Sequence, residues 1–185
     1  VTVKLVVIGA SLGGFSALKL ILGKLPPAFS VPIAIVQHRH KESQTTLASY
    51  LQPLIPLPIR EVEDKDEIAP GTIYLAPADY HLLVEFGYFT LTTDEPVCYA
   101  RPSIDVLFES AADAYGDRVI GIILTGANQD GAQGAAAIKT KGGRVIVQDP
   151  STAESPVMPD AAIAATQVDA IVPLTAIAST LLTYL

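Results

Sequence analysis

The sequence predicts a doubly wound α/β fold, with a mostly parallel sheet, helices on both of its faces and an antiparallel edge hairpin. Three observations carry this reading. Short β-branched apolar runs read as strands buried on both faces. They alternate with segments of helical period, as a parallel sheet with crossover helices requires. The one block that breaks the alternation, in the middle of the chain, carries hairpin signals instead. Half of the 185 residues are hydrophobic and only 17% are charged, so a sizeable core is available and disorder is excluded. At this length a single domain spanning 1–185 is expected.

The opening KLVVIGA, Lys4 to Ala10, is the first strand. Behind it Leu18, Ile21, Leu22 and Leu25 form one helical stripe, which Pro26 and Pro27 stop. A second strand runs from Pro32 to Gln37, and a helix is expected from Ser43 to Leu51. In the middle, Ile59–Val62, Thr72–Ala76, His81–Phe86 and Tyr88–Thr92 are strand candidates, the last two a hairpin turning near Gly87. This block is expected to add antiparallel strands at one edge of the sheet. Ser103 caps a helix whose stripe is Ile104, Leu107, Phe108, Ala111, Ala112 and Tyr115. Alternation then resumes: strand Arg118–Gly126, an Ala-rich helix around Ala132–Lys141 and strand Arg144–Gln148. A helix over Asp160–Ala165, a short strand Ala170–Val172 and a helix Leu174–Leu185 close the chain.

Several function classes are excluded. The net charge is −7 and there is no run of lysine or arginine, which argues against a nucleic-acid or anionic-membrane partner. No apolar stretch approaches the roughly 18–20 residues that span a bilayer. The first ten residues lack the basic head and cleavage site of a signal peptide. Cys98, the single cysteine, cannot form an internal disulfide, which favours a reducing, cytoplasmic setting. The absence of an initiator methionine fits a segment of a longer chain. The acidic run Glu61, Glu63, Asp64, Asp66 and Glu67 reads as a solvated turn, and no metal is expected.

In an open α/β sheet functional groups gather where strands end and helices begin. The first strand ends in Gly9-Ala10-Ser11-Leu12-Gly13-Gly14, the second in Gln37-His38-Arg39-His40, and the strand through Leu124 in Thr125-Gly126-Ala127-Asn128-Gln129-Asp130-Gly131. Gly9-x-Ser11-x-Gly13 matches the nucleophile turn G-x-S-x-G in its required strand–helix setting. Gly9-x-Ser11-x-x-Gly14 also reads as a dinucleotide loop with its middle glycine replaced, and a plain tight turn is the third reading. Gln37 and His38 stand where a ribose-binding acid would be expected, which weakens the nucleotide reading.

A serine needs a base, and His38 at the adjacent strand end is the candidate, with His40 as competitor and His81 read as structural. Asp130 would orient the imidazole, although Asp149 after the Arg144–Gln148 strand is an alternative that spacing cannot exclude. Arg39, Lys41 and Arg101 read as surface residues that lend local positive charge, and Arg39 and Arg101 are the candidate substrate contacts.

The segments IGASLGG, IVQH, GTIYLAPADYHLLVE, RPSIDVLFESAA, LTGANQDGAQG and MPDAAIA, in this order, resemble the catalytic domain of the CheB family of chemotaxis protein-glutamate methylesterases. The matches run from Val6 to about Val172. The resemblance implies a doubly wound hydrolase that removes methyl groups from glutamates in chemoreceptor signalling helices, with glutamine deamidation in some members. It implies Ser11 as nucleophile, His38 as base and Asp130 as its orienting partner, so that Asp149 is set aside. The amides of Leu12 and Ala127 would hold the oxyanion, with no cofactor. A methylated chemoreceptor or receptor-like signalling protein would be the substrate, and a receiver or kinase module the regulator. Family members usually carry an N-terminal receiver domain, which these residues do not contain. Leu12 replaces a common threonine, Ala127 a common methionine, and Arg39-His40 a common Met-Pro pair. Those changes touch the rim of the site rather than its chemistry. A non-catalytic signalling or nucleotide-binding module on the same fold is the alternative.

Overall fold

The computed structural model describes residues 2–39 and 46–185. His40, Lys41 and the start of the helix expected from Ser43 lie outside the described residues. In chain order the elements are β1 (Leu5–Ala10), α1 (Gly14–Leu22), β2 (Ile33–Gln37), α2 (Leu47–Leu51), β3 (Ile59–Glu61), β4 (Ile73–Leu75), β5 (His81–Glu85), β6 (Tyr88–Thr92), α3 (Ile104–Tyr115), β7 (Val119–Ile123), α4 (Ala132–Thr140), β8 (Arg144–Gln148), α5 (Val157–Ala165), β9 (Ala170–Val172) and α6 (Ile177–Thr183).

Seven strands form one sheet in the order β3-β4-β2-β1-β7-β8-β9, every pair parallel. The chain winds outward from β1 to β2, then returns to place β7, β8 and β9 on the other side of β1. The crevice at the carboxyl ends of β1 and β7 is therefore the point where the winding reverses. The middle block differs from the expectation. β3 and β4 join the main sheet in parallel, and only β5 and β6 pair antiparallel, as a separate two-stranded sheet with Gly87 at the turn. The reason is burial: Tyr74 and Leu75 of β4 are covered on both faces, which suits a parallel strand inside the sheet.

All six residues of β1 are buried, and alternation divides them between two cores. Val6 and Ile8 face Leu18, Ile21 and Leu22 of α1 and Ile177 and Leu181 of α6. Leu5 and Val7 belong to the opposite core with Leu107 and Phe108 of α3, Ile138 of α4, Met158 of α5 and Leu82 and Phe89 of the hairpin. Helix α1 ends at Gly23, before the prolines that were expected to stop it. Helix α5 starts at Val157 rather than Asp160, since Pro159 falls in its first turn, where a missing amide costs nothing.

Helices α3 and α4 lie unusually close. A Cβ at Gly134 would stand 2.4 Å from Phe108 Cβ and 3.2 Å from Asp105 Cα. Alanine normally stabilises a helix interior by about 1 kcal/mol over glycine. Here Gly134→Ala is expected to destabilise instead, by about 1–3 kcal/mol, because the obstructing atoms are close to the backbone and cannot swing away. Urea unfolding checks this, and a midpoint at or above that of the parent chain would contradict the packing argument.

Candidate active site

Three neighbouring strand ends build the site. β1 runs into Ser11, β2 into His38, and β7 into the loop that leads to Asp130. The ends are stitched together by backbone bonds, from His38 N to Ala10 O at 2.9 Å and from Ser11 N to Thr125 O at 2.9 Å. The Gln37 side-chain amide donates to both Ser11 O at 2.8 Å and His38 O at 3.0 Å, locking the two turns to each other. Thr125 Oγ1 donates to Leu12 O at 2.8 Å and accepts from Ser155 N at 2.9 Å. A Cβ on Gly126 would lie 3.0 Å from Ser11 Cβ, so the β7 loop passes directly over the serine.

The turn after β1 stays tight because Gly13, at φ +80°, takes the left-handed step before α1 begins. Ser11 is partly exposed and Leu12 is 52% exposed at the mouth. Among the described residues, neither the Leu12 amide nor the Ala127 amide donates to another protein group.

His38 Nε2 bonds Asp130 Oδ2 at 2.7 Å, while the ring keeps 12% side-chain exposure and the carboxylate has none. Asp130 receives three further donors: Ser103 Oγ at 2.8 Å and Asp105 N at 2.9 Å on Oδ1, and Ile104 N at 2.7 Å on Oδ2. These donors are the cap and first turn of α3, whose partial positive charge favours an anion there. Burial alone would push the Asp130 carboxyl up. The bonds from His38 and from the Asp105 and Ile104 amides outweigh it and hold the carboxyl below its usual range. With Nε2 on Asp130, Nδ1 is the other ring nitrogen, and among the described residues no hydrogen bond joins the imidazole to Ser11 Oγ.

Asp105 returns the favour. Its Oδ1 accepts from Gly131 N at 2.9 Å and Gly134 N at 2.7 Å, capping α4, while its Oδ2 takes the Cys98 thiol at 3.9 Å. Sequence reasoning missed this residue; it appeared only as one letter within RPSIDVLFESAA, and no spacing rule couples it to residues 26 positions away. Cys98, Asp105 and Asp130 bring three ligand atoms within 4.8 Å of one another. Both Asp130 oxygens and Asp105 Oδ1 are already filled by hydrogen-bond donors, so the cluster is a shared cap rather than a cation cradle. Burial, with Asp130 and Asp105 nearby, pushes the Cys98 thiol up, the wrong direction for a nucleophile.

The remaining sequence candidates separate cleanly. Asp149 caps the turn at Ser151 and makes no contact with His38. His81 is buried, accepting from Ser103 N at 3.1 Å on Nδ1 and reaching Glu95 O at 3.0 Å through Nε2, so it braces the α3 cap. Arg39 and Arg101 line a cavity of about 460 Å³ beside His38, together with Tyr99 and Asn128. Both cations are already engaged: Arg39 pairs with Glu61, and Arg101 holds Asp79 at 2.7 Å and the carbonyls of Thr93 and Asp94. In the acidic run, Asp64 caps Leu91 N and Asp66 caps Glu63 N, fixing a turn. No helix among the described residues is long and apolar enough to cross a membrane.

Asp105 also makes stability depend on pH. Burial pushes its carboxyl up from 3.8 to about 6 against the lowering effect of the Gly134 and Gly131 amides, with Asp130 and Glu109 adding to the rise. The folded state thus holds this proton more tightly than the unfolded chain. The group favours folding below the unfolded value, and that contribution is lost as pH rises through about 6. Cys98, Glu109 and Asp130 are the titratable groups facing it. Asp105→Asn removes this titration while keeping an acceptor. Thermal melts should show the variant gaining on wild type between about pH 4.5 and about pH 7.5. An equal difference at both values would contradict the assignment.

The same arrangement of segments occurs in known proteins. Residues 6–181 match the CheB methylesterase family. A protein of Leptospira interrogans is 50% identical over 174 residues, covering 94% of this chain and 90% of that one. The protein-glutamate methylesterase/protein-glutamine glutaminase 1 of Carboxydothermus hydrogenoformans is 43% identical over 95% of this chain, which spans only 53% of it. The crystal structure of the Thermotoga maritima CheB methylesterase catalytic domain superposes with a TM-score of 0.95 at 35% identity, covering 100% of both chains. With fold and sequence agreeing along almost its whole length, this chain belongs to the CheB methylesterase family.

Proposed function

We propose that the chain is one catalytic module that hydrolyses γ-methyl esters of glutamate in a cytoplasmic signalling protein, with methylated chemoreceptors as the substrate class. The observation that carries this reading is the His38–Asp130 pair, 2.7 Å long and anchored by three α3 donors, at the strand end next to Ser11. A binding surface alone has no need of a serine and an oriented imidazole at adjacent strand ends. The names of the relatives support the substrate class.

In the proposed reaction Ser11 Oγ attacks the ester carbonyl carbon as its proton passes to His38 Nδ1. Asp130 stabilises the imidazolium that forms. The carbonyl oxygen, now negative, takes the Leu12 and Ala127 amides, each such donor typically contributing about 2.7–4 kcal/mol. Collapse expels methoxide, which leaves as methanol with the proton from His38. Water then attacks the acyl-serine with the same imidazole as base, freeing the glutamate carboxylate and restoring Ser11. A glutamine side-chain amide could enter the same acyl intermediate with ammonia as leaving group. No step calls on a metal or organic cofactor. Arg39 and Arg101 stand at the substrate mouth, and their paired charges suit them to shaping it rather than to long-range attraction. Since enzyme and receptor helices would both be acidic, the encounter depends on tethering, for which a receiver or kinase module is the candidate regulator.

Methanol release from a methylated receptor fragment tests the reading. Ser11→Ala should reduce release to background with an unchanged thermal melt, and His38→Ala should do nearly the same. Turnover by the serine variant near the wild-type rate would refute the mechanism. A fluorophosphonate adduct on Ser11 that needs His38 separates the hydrolase from a non-catalytic module: if wild type forms none, the binding reading gains.

A further inference from the structure

We infer that Asp105 is a positioning residue of this site, holding the Asp130 loop so that the Asp130 carboxylate stays on His38. The inference rests on the hydrolytic reading above and deepens it. Asp105 touches neither His38 nor Ser11 among the described contacts, so whatever it does to the reaction passes through Asp130.

The geometry is a closed ring. The Asp105 amide donates to Asp130 Oδ1 at 2.9 Å, and one residue further along the loop the Gly131 amide donates back to Asp105 Oδ1 at 2.9 Å. The peptide that follows Asp130 is thus held by the side chain of the residue whose backbone holds the Asp130 side chain. Gly134 N adds a second bond at 2.7 Å, tying the first turn of α4 to the same oxygen. Gly131 and Gly134 are buried, so without this acceptor their amides would have no water to turn to. The loop would then shift to pair them, and Asp130 lies immediately before it.

Burying an acid at this point is costly, as the upward push on its carboxyl shows. Nothing apolar in the surrounding core requires an acid here. What requires it is the pair of buried amides that follow Asp130, at Gly131 and Gly134.

Three forms of the protein decide the matter: wild type, Asp105→Ala and Asp105→Asn. The rate is expressed per folded molecule, counted from the amplitude of the thermal unfolding transition, and the downfield proton resonance of the His38 Nε2–H···Asp130 bond is recorded for each. Removing the acceptor should lower kcat by up to about 10²-fold with KM little changed, the scale on which misplacing a catalytic group acts. The resonance should be lost or displaced. The asparagine variant, which keeps an oxygen for both amides, should recover most of kcat and return the resonance. If Asp105→Ala does not fold, Asp105→Ser, with a shorter acceptor, carries the same comparison. A folded variant lacking the acceptor, with wild-type kcat per folded molecule and an unmoved resonance, would overturn the inference. So would a loss confined to the fraction of folded protein. The resonance needs no turnover, so it tests the positioning role even if wild type releases no methanol, an outcome that would count against the hydrolytic reading alone.

Discussion

Everything at the carboxyl edge of this sheet depends on an exchange of carboxylates between two helices. Asp130, just before α4, caps α3; Asp105, in the first turn of α3, caps α4. Each aspartate satisfies amides that the other helix would otherwise leave orphaned in a dry interior. A hydrogen bond to a charged group contributes about 1.5–3 kcal/mol, so the pair of caps also fixes how closely the helices approach. That closeness explains why α4 has glycine where it crosses Phe108. It also explains how a fully buried carboxylate stays ionised beneath His38: the charge is met by α3 amides and by the imidazole together.

Much of this was legible in the residues and part was not. Strands with continuous apolar runs, such as LVVIGA and VIGII, could only be buried on both faces, and they occupy the centre of the sheet. The pairing of β3 and β4 was misread, because three-residue strands carry too little pattern to tell antiparallel from parallel partners. Ser11, His38 and Asp130 were candidates because each follows a strand or precedes a helix, and because their motifs resemble a family. Asp149, equally plausible by spacing, turns out to be spent on its own turn. The bracing contacts of Asp105, Gln37 and Thr125 were not legible. Their roles arise from contacts between segments more than 20 residues apart, and no local periodicity encodes such a contact.

Charge at the site is arranged for rigidity. Arg39 and Arg101 are bound to acids and carbonyls around the cavity, while the acidic turn near Glu61 is closed by its own amides and by arginines. The rim beside the serine is instead apolar and exposed, with Leu12 next to it and Phe15 edge-on to Tyr50 beyond. A partner would meet a preformed mouth with fixed charges and a greasy lip.

The order of the parts along the chain has a temporal consequence. The serine and the imidazole both lie within the first 38 residues, whereas the carboxylate that anchors the imidazole follows His38 by 92 positions. The helix that caps this carboxylate lies between them, and β7, which carries its loop, must insert beside β1 before the carboxylate can arrive. A chain emerging from the ribosome therefore presents Ser11 and His38 long before Asp130 can reach the imidazole. The imidazole gains its anchor only when the second half of the sheet has closed against the first.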